Sequence, residues 1–354
     1  MGFDDTVFLT GFPGFISGRL IEKLAAAGSR LLLLVQPALR DRARREVNDL
    51  VERLGIATSH FHLIEGDITL PNLGMSAADS ARAVAETNVI FHLAAVYDLA
   101  VPREIALKVN VEGTRQVNAF ARALKDLRRY HYVSTCYVAG KRKGVIRETE
   151  LDPEAGFRNY YEETKYLAEA EVAALIPQLP ITIHRPAIVC GDSRTGETAK
   201  YDGMYPLMIY LLKSPRLLSI PNLGNRAVRL NLVPVDWLIE SMMALAGDER
   251  SIGATVQLAD PAPLTTEALF DALANAIGGH RSRFTVPAPI VYYSLMLPIS
   301  PPITGLPRSA VPYFFLDQTY DTEISESLLT VRCPSFTSYV DRLVEYVKAH
   351  PNGP

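Results

Sequence analysis

The sequence predicts an α/β protein, a doubly wound parallel sheet with a smaller C-terminal lobe, and three observations carry that prediction. Short apolar runs of strand length alternate with helical patterns through the first half of the chain. The first of these runs ends in a glycine turn that opens straight into a helix. After Pro186 the alternation breaks, and from Asp260 the chain becomes rich in proline and aromatic residues.

Thr6 to Thr10, Leu31 to Val35, His60 to Ile64, Val89 to Leu93, Tyr130 to Ser134 and Ile181 to His184 read as strands, being continuous apolar runs of the kind a sheet buried on both faces requires. Between them lie the helical segments Arg19 to Ala27, Arg40 to Leu54, Ser76 to Glu86, Arg103 to Lys125 and Tyr161 to Leu175. Later segments read as a helix at Tyr205 to Leu212, a strand near Val228 to Val233, and helices at Asp236 to Leu245 and Ser338 to Ala349. The expected division is residues 1–190 as the first domain, with 225–260 returning to it, and 191–224 plus 261–354 as a substrate lobe.

Composition narrows the function. Of 354 residues, 48% are apolar and 21% charged, close to the globular average, which excludes disordered, collagen-like and coiled-coil chains. A net charge of −3 lacks the basic excess a nucleic-acid partner would need. Cys136, Cys190 and Cys333 show no CxxC spacing, so neither a disulfide framework nor a zinc knuckle is expected. The N-terminus runs into an apolar strand without a signal-peptide pattern, and the expected location is cytoplasmic. Phe284 to Pro307 is uncharged and long enough to cross a bilayer, yet its prolines argue against a transmembrane segment. His60 and His62 share a strand face without a third ligand, so no metal is expected.

In the turn Thr10-Gly11-Phe12-Pro13-Gly14-Phe15-Ile16-Ser17 the glycines permit a tight backbone at a helix N-terminus, whose free N–H groups and dipole favour a pyrophosphate. A Rossmann-type dinucleotide site follows. The second strand ends at Gln36, where an acid would accept from a ribose 2′-hydroxyl, and Arg40, Arg42, Arg44 and Arg45 come soon after. A guanidinium suits phosphate, so NADP(H) is favoured over NAD(H). Tyr161 and Lys165 stand at i and i+4 on one helix face, where an ammonium can stabilise a phenolate. Ser134 and Thr135 place hydroxyls at a strand C-terminus, the edge at which such sheets bind ligands.

These motifs resemble the extended short-chain dehydrogenase/reductases, which include epimerases and dehydratases. The likeness rests on Gly11 and Gly14, Gly66-Asp67-Ile68, His92-Leu93-Ala94-Ala95, Asn110-Val111-Glu112-Gly113-Thr114, Ser134-Thr135, Tyr161 with Lys165, and Arg185-Pro186, all in order. Ser17 replaces a glycine. Arg185 to Ser193 together with Val233-Pro234-Val235-Asp236 look most like the thioester-reductase and fatty-acyl-reductase members, although Gln36 stands where their arginine is expected.

The resemblance implies roles by position. Tyr161 is the general acid or base, Lys165 lowers its pKa and holds the nicotinamide ribose, and Thr135, with Ser134 as backup, meets the substrate oxygen. Asp67 accepts from the adenine amino group and Ile68 packs on that ring. Leu93, Ala94 and Ala95 let the backbone approach the cofactor, Pro186 and Ile188 line the nicotinamide, and Asn110 either supports the site or is a buried structural amide.

Substrate contacts are expected from Tyr97, Tyr137, Met204, Tyr205 and Met208; the last three belong to an apolar stripe that core packing would also explain. The implied substrate is a small lipophilic carbonyl, alcohol or acyl thioester, and a homodimer is left open. The competing readings are a nucleotide-sugar epimerase or dehydratase with retained NAD, and a non-catalytic dinucleotide-binding regulator.

Overall fold

Strand β1 (Thr6–Thr10) lies inside a seven-stranded parallel sheet in the computed structural model, which describes residues 5–213, 226–278, 286–301 and 306–353. The rest of the predicted lobe, including 284–285 and 302–305 of the uncharged segment, lies outside the described residues. The other sheet strands are β2 (Arg30–Val35), β3 (Phe61–Glu65), β4 (Val89–His92), β5 (Arg129–Val133), β7 (Ile181–Pro186) and β10 (Thr255–Leu258). Their order is β10-β7-β5-β4-β1-β2-β3. Two short parallel pairs stand apart: β6 (Gly144–Ile146) with β11 (Gln318–Tyr320), and β8 (Ile188–Cys190) with β9 (Leu232–Pro234).

The helices are α1 (Phe15–Ala26), α2 (Arg40–Leu54), α3 (Ala77–Glu86), α4 (Arg103–Ala106), α5 (Gly113–Ala123), α6 (Tyr160–Ala173), α7 (Tyr205–Lys213), α8 (Val235–Gly247), α9 (Thr266–Gly278), α10 (Ala288–Met296), α11 (Glu323–Leu328) and α12 (Val340–Ala349). A π-helical turn, Leu107–Glu112, joins α4 to α5. None of the described helices is long and apolar enough to cross a membrane.

Alternate strand residues face opposite sides. Val7, Leu9, Leu31, Leu33, Phe91 and Val256 pack with α1, α2 and α8, whereas Phe8, Leu32, Ile90, Tyr130, Tyr132 and Ile183 pack with α3, α5 and α6. This double burial is why the strands read as unbroken apolar runs. The sheet order reverses between β2 and β4 around β1, so the crevice at the carboxyl ends of β1 and β4 is the switch point where such sheets take ligands.

A third cluster joins α7, α9 and α12. Met204, Tyr205 and Met208 fall in it, each at most 1% exposed, and the Tyr205 hydroxyl accepts from the Gly191 amide at 2.9 Å. These three were expected as substrate contacts; here they pack in the apolar cluster, the role that their stripe also allowed. Helix α1 begins at Phe15, four residues before the sequence pattern suggests, because Gly14 caps it directly out of the turn. Strand β10 and helix α9 escape the periodicity reading altogether.

Candidate active site

The glycine turn is shaped by close approach to the end of β4. Gly11 has φ +93°, and a Cβ there would lie 2.8 Å from the Ala94 amide nitrogen. At Gly14 a Cβ would stand 2.9 Å from the Gly11 carbonyl oxygen. Gly14 contributes no side-chain cap to α1 and the first turn carries no acid, so the free amides of the helix start face outward unopposed. Ser17, where a third glycine was expected, places Oγ 2.8 Å from the Gly11 carbonyl and 3.2 Å from that of Gly14. Its hydroxyl pins the turn. This bare, amide-rich cradle fits a dinucleotide pyrophosphate.

A buried hydrogen-bonded chain runs from this turn to Thr114, and its His92 packs on the Tyr132 that holds Lys165. The Ala94 amide donates to Thr10 Oγ1 at 3.2 Å, Thr10 Oγ1 is 2.7 Å from His92 Nδ1, and His92 Nε2 is 3.0 Å from Thr114 Oγ1. Thr114 donates its own proton to the Asn110 carbonyl at 2.6 Å, so it must accept from His92. His92 is therefore the Nε2–H tautomer, and Thr10 donates to its Nδ1. Burial drives the ring's pKa down to about 3, assisted by Lys165, which keeps it neutral. Lys165 Nζ donates to the Tyr132 hydroxyl at 3.0 Å and to the Val133 carbonyl at 2.8 Å, and the Tyr132 ring packs on that of His92 with centres 5.5 Å apart. Sequence reading assigned no role to His92, Thr114 or Tyr132. His92 and Thr114 stand inside two of the motifs that carry the resemblance, and Tyr132 stands in none.

Tyr161 is half-buried in the first turn of α6, and the Thr135 hydroxyl stands close to its phenol. Burial pushes the phenol up to about 12, the neighbouring Thr135 hydroxyl offsetting part of the rise. Lys165 is lowered by burial to about 7, against an opposing pull from Glu169. The expected lowering of Tyr161 by Lys165 is thus absent from this geometry, because the ammonium is directed to Tyr132 and Val133. Ser134, the expected backup, donates its hydroxyl to the buried carboxylate of Glu169. Glu169 in turn pairs with Arg185, whose Nε is 2.9 Å away, with both side chains at most 2% exposed. Thr135 remains the hydroxyl beside Tyr161.

At the other end, Gln36 Nε2 lies 3.4 Å from Asp67 Oδ2, and Arg40 forms an ion pair with Glu65, the last residue of β3. Arg42 is paired with Glu46 at 2.8 Å. Asp67 Oδ1 also accepts from the Thr69 amide at 2.8 Å. Ile68 is buried against α5, where a Cβ at Gly113 would come within 2.6 Å of Ile68 Cδ1. Asn110 accepts from the Val96 amide at 2.8 Å and donates to the Val96 carbonyl and to Thr164, each at 3.0 Å. These bonds tie the loop after β4 to helix α6. That loop carries Leu93, Ala94 and Ala95 past Gly11.

Tyr97 is 52% exposed, with Lys200 Nζ 4.5 Å from its ring centre. Tyr137 meets Tyr313 edge-on at 4.8 Å. Pro186 is buried at the end of β7, and Ile188 is half-buried near Gly203. The Cys136 thiol is buried, donates to the Arg185 carbonyl at 3.0 Å and is pushed well up by burial, as a packing residue would be. His62 faces Asp79 at 3.3 Å, and the described residues hold no cluster of three metal-ligating groups.

Fold and site together are those of the extended short-chain dehydrogenase/reductases. The profile of the family described as Male sterility protein matches residues 9–242, and the chain belongs to that family. It is 27% identical over 282 residues to the fatty acyl-CoA reductase wat of Drosophila melanogaster, covering 69% of this chain and 54% of that protein. The non-canonical nonribosomal peptide synthetase cpsA of Aspergillus campestris is 26% identical over 268 residues, 71% of this chain but 25% of the synthetase. The chain thus spans about half of the first relative and about a quarter of the second. Among solved structures, the terminal R domain of the myxalamid PKS-NRPS biosynthetic pathway superposes with a TM-score of 0.82 at 25% identity, over 99% of this chain and 92% of that one. UDP-glucuronic acid 4-epimerase from Bacillus cereus, in complex with NAD, shares the fold, with a TM-score of 0.67 at 18% identity over 98% and 99% of the two chains.

Proposed function

We propose that this protein is an NADP(H)-preferring reductase acting on the carbonyl or acyl-thioester group of a lipophilic substrate. The observation that carries the reading is that Thr135, just past the carboxyl end of β5, stands beside the Tyr161 phenol on the sheet edge that also bears the Gly11–Gly14 cradle. A bound reduced nicotinamide supplies the hydride. Tyr161 gives its proton to the substrate oxygen, and Thr135 orients phenol and oxygen together. The phenol, raised to about 12 by burial, holds its proton throughout the neutral range and has it to give.

The cradle amides and α1 hold the pyrophosphate, and Ala94 and Ala95 let the dinucleotide lie against the backbone. Lys165, anchored on Tyr132, is the candidate partner of the nicotinamide ribose, and Asp67 that of the adenine amine. Pro186 and Ile188 are the candidate nicotinamide wall, and Tyr97 and Tyr137 the candidate substrate contacts. The relatives named for fatty acyl-CoA reduction and the superposed R domain support the thioester class.

The test is a homologous series of acyl thioesters and aldehydes followed at the NADPH absorbance. Stoichiometric NADPH loss is expected, with a specificity constant that climbs with chain length at up to about 0.8 kcal/mol per buried methylene before levelling. Conversion of a nucleotide sugar without net cofactor consumption would replace this reading by an epimerase or dehydratase.

A further inference from the structure

The end of β2 lacks an acid, and the first arginine after it is not free. Arg40 opens α2 four residues after Gln36, and its side chain is ion-paired with Glu65 at the end of β3. Register pairs Val35 with Glu65, so the two strand ends emerge side by side at the carboxyl edge of the sheet. Arg40 and Glu65 are 52% and 45% exposed, open to an incoming ligand. Gln36 turns instead towards Asp67.

We propose that Glu65 sets the nucleotide preference by competing for Arg40. This rests on the reading of Arg40 as the contact for a ribose 2′-phosphate. A 2′-phosphate approaching Arg40 must share or displace the Glu65 carboxylate and meets its negative charge. NADP(H) therefore binds less tightly than an unpaired arginine would allow. A ribose bearing only hydroxyls has no dianion to be repelled, so Glu65 leaves NAD(H) almost untouched. The pair narrows the gap between the two nucleotides. Glu65 acts here through Arg40, as a tuning residue with no chemical step of its own.

The experiment is calorimetric titration of the full chain with NADPH and NADH at about 50 and about 500 mM salt, for the native protein, Glu65→Gln, Arg40→Ala and the double variant, with thermal melts for each. Glu65→Gln is expected to tighten NADPH about fivefold while NADH changes less than about twofold, an effect that shrinks at high salt as charge is screened. Arg40→Ala is expected to weaken NADPH about tenfold, and on that background Glu65→Gln should have little left to gain. If Arg40→Ala leaves NADPH affinity unchanged, the reading of Arg40 fails and the inference with it. If Arg40→Ala weakens NADPH but Glu65→Gln leaves the NADPH-to-NADH ratio where it was, the inference alone fails. Weaker NADH binding by Glu65→Gln without tighter NADPH would also overturn it, since Glu65 would then be accepting from the ribose. Glu65→Ala repeats the measurement should the glutamine retain the contact.

Discussion

The ammonium of Lys165 is held 3.0 Å from the hydroxyl of Tyr132, the strand residue beneath it. Lys165 is therefore positioned by β5 and not by Tyr161, one turn before it on the same helix. Tyr132 packs on His92, whose hydrogen bonds to Thr114 and Thr10 reach the glycine turn. The floor of the proton-transfer site and the cofactor cradle thus rest on adjoining buried polar groups.

Tyr132→Phe removes one of the two acceptors of the Lys165 ammonium. The charged form loses a partner, so its pKa is expected to fall further below about 7. The limb over which NADPH binding weakens as pH rises and the ammonium is lost should then move to lower pH, with a stability loss of about 1–2 kcal/mol. An unmoved limb would mean that the Val133 carbonyl suffices.

Tyr161→Phe keeps the glycine turn and Lys165 and is expected to retain NADPH binding while turnover drops about 10²–10⁴-fold. Titration and steady-state assay on the same preparation separate the two. Unchanged turnover would remove Tyr161 from the mechanism.

Neighbouring hydroxyls should behave oppositely. Thr135→Val is expected to lower turnover, since its hydroxyl stands beside the Tyr161 phenol, whereas Ser134→Ala should spare turnover and cost stability through Glu169. Glu169→Ala leaves Arg185 buried without its counter-charge and should cost about 3–5 kcal/mol in urea denaturation.

Glu148 is 1% exposed and accepts from the amides of Gln257, Ile324 and Ser325 at 2.8, 2.6 and 3.2 Å. Burial nevertheless raises its carboxyl from 4.5 to about 7, the three amides opposing the rise. A raised folded-state value means that its contribution to stability is full below about 4.5 and is lost as pH rises through about 7. Denaturation of Glu148→Gln across that window should show a flatter pH slope than the native chain. An identical slope would assign the titration elsewhere.

Local pattern determined much of this protein. Unbroken apolar runs specify strands buried on both faces, and paired glycines before a helix specify the turn. The Tyr161 and Lys165 spacing specifies one helix face, because each of these signals is complete within a few residues. Pairings between distant segments were decided only by the folded chain. Strand β10 joins the sheet through Leu258 opposite Pro186, and β11 finds β6 across more than a hundred residues. In the same way Ser134 is claimed by Glu169, Arg40 by Glu65, and Lys165 by Tyr132. A side chain's type states what it can bond; which partner it meets depends on strand order, register and helix docking. For that reason the candidate reacting pair was legible in the sequence, whereas the residues that position it and tune its cofactor were not.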